Sequence, residues 1–567
     1  MTDKIEMWGG VECSHVRIHG AIRDQLEETG HFHRIDDLDL IAGLGIRTLR
    51  YPVLWEKIET EPGSFDWSWP DARLRRLQDL GIKPISGLMH HGSGPSWAQV
   101  LDPAFPDMFA RYAGRVAERY PWIEHYTPVN EPLTTARISG LYGLWHPHGT
   151  SEKTCLQLTF ALCQATVRAM KAIRDRVPRA KLVQTEDVGR IFSTERLAYQ
   201  ANHENERRWL ALDLLAGRVD EQHLFYGRLR RAGIAAEALR ALSASPCLPD
   251  IVGIDYYLTS DRLLDEQIDR YPGEPIGGNG LDTYVDTAAV RPVGRYDTGL
   301  RQRIEETWSR YRLPIAVTEM HNGSTRDEQV RWLVEGWRAA EAAQAEGVDV
   351  RAVTAWSLFG AFDWNSMLTA RGGYYESGAF DVRGAAPRPT ALSHTIARLA
   401  ANASADHPVL DRPGWWRDER GFKLGSSRPI LLVGFDRLIS AIEQCCIERR
   451  LSVGTTRPEA VQQAMATQGA WVTIQVDGQG VAHAGAKAKV VNVLCRFPQG
   501  DHLRLQYGSS YSVKNVANAL LDLIIDGQRG DLVLARSEQD NQYVCNVARQ
   551  GALESHAHDD ETDCYVA

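Results

Sequence analysis

Ile123-Glu124-His125-Tyr126-Thr127-Pro128-Val129-Asn130-Glu131-Pro132 runs from a β-like apolar stretch straight into a carboxylate. Leu313-Pro314-Ile315-Ala316-Val317-Thr318-Glu319-Met320 does the same much later in the chain. A charge just past a buried strand is poorly placed for stability, because it must be paired or hydrogen-bonded. At the carboxyl end of a parallel barrel strand, however, it stands where catalytic groups are held. Taken singly, either glutamate reads equally well as half of a surface ion pair. Taken together, they are the two carboxyl groups that cleavage of a glycosidic bond requires.

Outward from these segments, short apolar runs alternate with longer amphipathic stretches up to about residue 400. Candidate strands lie at 7–13, 46–51, 83–89, 123–129, 181–186, 251–255, 314–319 and 352–358, with helical periodicity at 71–80, 105–119 and 327–345. Eight strands so spaced predict an α/β fold, a (β/α)8 TIM barrel over residues 1–405. A doubly wound sheet fits less well, since polar residues close nearly every strand rather than one crevice.

The 567 residues exceed one ordinary core, so a second, smaller domain is expected. Turn-rich text marks a linker over 406–428, including Asp411-Arg412-Pro413-Gly414-Trp415-Trp416. An apolar run from Pro429 to Gly434, a helix near 437–449 and a strand near 451–454 then open a Rossmann-like α/β domain over 429–550. Its first turn, Gly434-Phe435-Asp436-Arg437, has one glycine, whereas a dinucleotide pyrophosphate needs several for close backbone approach. Residues 551–567 read as a disordered acidic tail.

Hydrophobic and charged contents of 43% and 24% are those of a globular protein, and a net charge of -9 gives no electrostatic case for nucleic acid or a membrane surface. The first residues have no apolar signal region and no later stretch is long enough to span a bilayer. Nine cysteines without paired C-x-x-C spacing suggest reduced thiols and a cytoplasmic setting. Sixteen tryptophans offer faces for stacking on sugar rings, although tryptophan is equally a core residue.

Seven segments carry a resemblance: Trp8-Gly9-Gly10, Leu49-Arg50-Tyr51-Pro52-Val53-Leu54-Trp55, Met89-His90-His91, Thr127 to Pro132, Gly253-Ile254-Asp255-Tyr256-Tyr257, Val317-Thr318-Glu319, and Ala355-Trp356-Ser357-Leu358 through Phe362-Asp363-Trp364. In this order, the first 400 residues resemble family-1 glycoside hydrolases, the retaining β-glucosidase family. The resemblance implies Glu131 as general acid/base and Glu319 as nucleophile. It also implies Arg50, His90, Asn130, Tyr256, Trp356, Asp363 and Trp364 as substrate-binding residues. Arg50 and the Tyr256 hydroxyl are expected to stabilise Glu319, and Asp363 to accept two sugar hydroxyls. The retaining mechanism expects carboxyl groups about 5–5.5 Å apart. No metal or organic cofactor is implied.

The chain departs from that pattern where sugar is read. Val16 stands where the family has a glutamine, His91 replaces a tryptophan, and Asp363 is shorter than the usual glutamate. Glu12, His91 and Glu186 therefore become further candidates for reading a modified, amino or deoxy sugar. The C-terminal text, chiefly Tyr511-Ser512-Val513-Lys514-Asn515 onward, resembles reductases of the dTDP-4-dehydrorhamnose reductase type. Tyr511 and Lys514 are one residue too close for that family's Tyr-x-x-x-Lys, so the expectation is a degenerate domain used either for assembly, as in a homo-oligomer formed through it, or for holding a substrate or partner.

The expected partner is a small soluble glycoside or sugar intermediate, hydrolysed or transferred to another sugar. Two rival readings stand: a bifunctional protein with an NAD(P)-linked C-terminal domain, and a non-catalytic sugar-binding scaffold.

Overall fold

Strand β1 (Glu6–Gly10) pairs with β2 (Thr48–Pro52) on one side and β8 (Val350–Ala355) on the other, and so closes a barrel. The remaining staves are β3 (Lys83–His90), β4 (His125–Asn130), β5 (Lys181–Asp187), β6 (Ile251–Tyr256) and β7 (Ile315–Met320), in sequential order and all parallel. The eight-stranded α/β barrel expected from the alternation is therefore the fold. The structure is a computed structural model and describes residues 4–271, 276–287, 296–324 and 326–417, then 430–434, 437–448, 451, 453–461, 463–464, 472–477, 490–496, 502–508, 517, 520–521 and 564–565.

One layer of the barrel interior shows why these residues make staves. Trp8, Ile85, Val183 and Ala316 come from the four odd strands and pack together with Ala352. The large indole is accommodated by the small alanines opposite, the alternation that fills a barrel without voids. Outside, the helix Phe105–Arg119 buries Phe105, Phe109, Tyr112, Ala113, Val116 and Ala117, an i, i+4, i+7, i+8 stripe. The Tyr112 hydroxyl, buried with that stripe, donates to Val53 O at 2.7 Å. Each such buried large side chain contributes about 1.5–3 kcal/mol relative to exposure.

Contacts divide the chain into one unit of residues 1–265, 286–290 and 294–416, and another of 266–285, 291–293 and 417–567. The barrel unit runs further than 405. Trp416 is buried, stands edge-on to Trp332 at 5.1 Å, and donates its indole N–H to Glu335 at 3.0 Å. Part of the stretch expected as linker thus packs on the barrel, because two tryptophans are too apolar to stay in solvent.

In the second unit, β9 (Ile430–Val433) lies between β10 (Val453–Thr456) and β11 (Val472–Asp477), all parallel, with the helix Arg437–Glu448 linking β9 to β10. Strands β12 (Val490–Arg496) and β13 (His502–Gly508) extend the sheet antiparallel. The expected degenerate turn at Phe435-Asp436 and the reductase-like text from Tyr511 to Val516 lie outside the described residues, as does the acidic tail except Cys564–Tyr565, which pairs with β13. Among the described residues no helix is long and apolar enough to cross a membrane.

Candidate active site

Glu319 is positioned by an irregular strand. The register of β7 slips between Val317 and Glu319 against β6, and between Val317 and Met320 against β8. Such a bulge re-aims one side chain at the cost of ladder regularity. The carboxylate is 2% exposed, and each oxygen has a donor. Arg50 Nη1, from β2, donates to Oε1 at 2.7 Å, and the Tyr257 hydroxyl donates to Oε2. Burial lifts the Glu319 carboxyl above its ordinary range, and the Arg50 charge with the Tyr257 hydrogen bond pulls it back.

Arg50 has further partners. Nη1 also donates to Thr318 O at 2.8 Å, Nη2 donates to Asn130 Oδ1 at 2.5 Å, and the guanidinium lies 4.7 Å from the Trp356 ring centroid. Asn130 Oδ1 additionally accepts from Thr185 Oγ1 at 2.8 Å. With its oxygen doubly occupied, Asn130 must present the amide N–H2, whose nitrogen lies 3.5 Å from His90 Nε2.

Glu131 has the opposite surroundings. It joins β4 to the helix Pro132–Gly140 with φ at 43°, a left-handed conformation costly for a residue with a Cβ. Pro132 at the first helical position needs no N–H partner. The carboxyl is 4% exposed, and among the described residues no arginine or lysine lies within 4 Å. Its near neighbour is His91 Nε2 at 3.4 Å, a ring whose Nδ1 is 2.9 Å from Thr135 Oγ1 and which burial keeps neutral, its pKa lowered to about 3. Burial, then the charges of Asp255, Glu319 and Glu186, hold the Glu131 proton well above the usual carboxyl range.

Several expected residues stand elsewhere or are already occupied. Tyr256 does not reach Glu319: its hydroxyl donates to Asp261 at 3.0 Å and its ring stacks on Trp332 at 5.5 Å. Successive strand residues face opposite sides, so Tyr256 faces outward and Tyr257, just beyond β6, turns in. Glu186 is engaged by the backbone of a helix. Its oxygens accept from Leu133 N at 2.8 Å and Thr134 N at 3.1 Å, satisfying the first turn of the helix behind Glu131. Asp363 is clamped, with Oδ2 3.0 Å from Arg23 Nη2 and Oδ1 accepting from Tyr374 N at 2.8 Å, so it lacks two free oxygens for hydroxyls.

The other expected residues do gather at this end of the barrel. His90 is buried, held neutral by burial, and stacks on Trp356 at 5.4 Å; Trp364 stands edge-on to His91 at 5.6 Å. Glu12 Oε1 lies 4.0 Å from His90 Nε2. Gly10 is required here, because a Cβ would fall 2.2 Å from the Trp356 ring. Sequence reasoning missed Tyr257, Thr185 and Asp255, whose Oδ1 accepts from Thr318 Oγ1 at 2.6 Å. The Tyr256-Tyr257 dipeptide contained the signal, and one step of register decides between its members. Among the described residues no group of three or more His, Cys, Asp or Glu is arranged to hold a metal ion.

Two buried glutamates thus stand at strand ends, one gripped by a cation and one among carboxylates. Residues 20–379 match glycosyl hydrolase family 1. The chain belongs to that family. It is therefore a glycosidase. Similar proteins include beta-glucosidase 4 of Oryza sativa subsp. japonica, 24% identical over 400 residues covering 60% of this chain and 79% of the relative. Beta-glucosidase A of Thermotoga maritima is 22% identical over 383 residues, 60% of this chain and 80% of the relative. The solved family 1 β-glucosidase from Thermotoga maritima superposes with a TM-score of 0.57 at 17% identity, over 71% of this chain and 99% of that one. The same enzyme in complex with deoxynojirimycin gives 0.56 at 17%, over 71% and 98%. At that identity the superposition speaks for the fold.

Proposed function

We propose that this family 1 glycosidase is a retaining enzyme with Glu319 as nucleophile and Glu131 as acid/base. Glu319 Oε attacks the anomeric carbon of a β-linked glycoside while Glu131 gives its proton to the departing oxygen. A covalent glycosyl-enzyme and a free alcohol result. Glu131, now ionised, takes a proton from water or from a sugar hydroxyl, which displaces Glu319 and restores both groups. The observation that carries this division is the contrast in donors. Arg50 and Tyr257 both donate to Glu319, whereas the near neighbour of Glu131 is a neutral imidazole. A nucleophile must be ionised and an acid must keep its proton, and these surroundings favour one state each.

The amide N–H2 of Asn130 would donate to the sugar 2-hydroxyl, a contact that strengthens as oxocarbenium character grows. His90, Trp356 and Trp364 would line the glycone. The buried Trp364 Nε1 has no protein acceptor among the described residues, which supports a ligand oxygen there. The substrate is a small β-linked glycoside, and whether water or a sugar accepts the glycosyl group depends on what enters beside Glu131. Buried thiols at Cys13, Cys155, Cys163 and Cys247 support a reducing, cytoplasmic setting. The parallel β10-β9-β11 core of the second unit supports a degenerate reductase-like domain used for assembly. Incubation with a 2-fluoro glycoside followed by peptide mass mapping tests the catalytic reading: it requires the label on Glu319.

A further inference from the structure

Glu12 is a buried acid that bond cleavage does not use. It lies two residues past β1, on the same end of the barrel as Glu319, and is 3% exposed. Its backbone N–H donates to Ser357 Oγ at 2.9 Å, which fixes it beside Trp356. Oε1 accepts from Ser14 N at 2.8 Å and Ser14 Oγ at 2.6 Å. The Trp356 side chain is hydrogen-bonded to the same carboxyl, and these three neutral donors still leave an acceptor site on a group with about four. Among the described residues no arginine or lysine lies within 4 Å of it, and the ring 4.0 Å away, His90, is held neutral by burial. Burying a carboxylate without a counter-charge is costly, and its two bonds to Ser14 need an acceptor oxygen but no negative charge.

The same pocket is short of positive charge elsewhere. Arg50 serves Glu319 and lies 3.8 Å from Asp255, whose Oδ2 is buried with no hydrogen-bond partner among the described residues. The Arg23 guanidinium is spent on Glu28 and Asp363. A pocket with this excess of carboxylates suits a ligand that brings a cation with it.

We propose that Glu12 selects a glycone carrying an ammonium group, an amino-deoxy sugar whose charge rests on the Glu12 carboxylate beside His90. The inference rests on the catalytic reading above, since the sugar must sit between Glu131 and Glu319 for its ring to reach Glu12. Burial, chiefly, pushes the Glu12 carboxyl up to about 7, so the charge that holds the amine develops as pH rises through neutrality.

The test compares kcat/KM for a dinitrophenyl β-glucoside with its 3-amino, 4-amino and 6-amino-deoxy counterparts. The expected result is a preference of at least about tenfold for one amine, the size of one charge-assisted hydrogen bond. That preference should collapse to about one in E12Q, which keeps an oxygen for Ser14. A preference for the parent over all three amines, or an amine preference that E12Q retains, overturns the proposal. Should E12Q fail to fold, E12D decides: it keeps the charge on a shorter arm, and an amine preference equal to that of the wild type overturns the proposal. Turnover of the parent without an amine preference defeats this inference alone. No turnover and no label on Glu319 defeat the catalytic reading and this inference together.

Discussion

Arg50 Nη1 lies 2.7 Å from Glu319 Oε1 while Nη2 of the same guanidinium holds Asn130 Oδ1 at 2.5 Å. One planar fork therefore orients both the carboxylate proposed to attack and the amide proposed to meet the neighbouring hydroxyl. Lysine has one nitrogen and cannot span the two sites. R50K should lower kcat/KM by roughly 10²–10³, the cost typical of removing one preorganised electrostatic contact. The acidic limb of its pH profile should move to higher pH, because a lysine that no longer donates to Oε1 opposes the burial of Glu319 less. Steady-state kinetics across pH checks both effects.

Tyr256 and Tyr257 make a paired prediction. Y257F removes the donor to Glu319 Oε2 and should cut kcat/KM by about 10–100-fold while the thermal midpoint changes little. Y256F removes a hydroxyl from Asp261, which also accepts from Gly299 N and Arg303 Nη1. It should cost about 1 kcal/mol of stability and leave kcat/KM near wild type. The reverse pattern would put Tyr256 at the nucleophile.

Glu131 should govern the basic limb of kcat/KM, since the acid form must be present to protonate the leaving oxygen. Because burial and neighbouring carboxylates raise it, that limb should lie well above the ordinary carboxyl range. E131A should lose turnover of poorly activated glycosides by roughly 10²–10⁴, the usual share of acid catalysis. It should retain the first step on dinitrophenyl glycosides, and azide should restore release. Retention of full activity on an alkyl glycoside would contradict the assignment.

How much of this was legible in the sequence follows from how local each signal is. The eight staves and the two glutamates were legible, because apolar runs ending in Asn130-Glu131 and Thr318-Glu319 are contiguous text. The partners were not. Arg23 reaches Asp363 across 340 positions, from the hairpin His15–Ile18/Ala21–Asp24, and Glu186 reaches the helix behind Glu131 across a neighbouring strand. Such pairings depend on barrel closure, which no window of sequence contains. Tyr256 was misjudged for a smaller reason, a single step of strand period. Trp416 was read as linker because its proline- and glycine-rich flanks resemble one, although its indole belongs to the barrel.

A pH dependence of stability is expected from Glu186. Its folded carboxyl is raised from 4.5 to about 7, burial being the largest cause. Between those values the folded chain holds a proton that the unfolded chain has released, so stability falls as pH rises through this window. The size is on the order of 3 kcal/mol for this group alone. E186Q should flatten the thermal midpoint between pH 5 and pH 7 and keep an oxygen for Leu133 N. An unchanged pH slope would show that the helix terminus, with its two N–H donors, keeps the carboxylate ionised.

The most direct measurement is the site of covalent labelling. The protein is treated with 2-fluoro or cyclophellitol-type glycosides, digested, and its peptides sequenced by mass spectrometry. The account predicts one equivalent of glycosyl mass on Glu319, absent in E319Q. A label on any other residue, or turnover of the parent glycoside with inversion at the anomeric carbon, would contradict it.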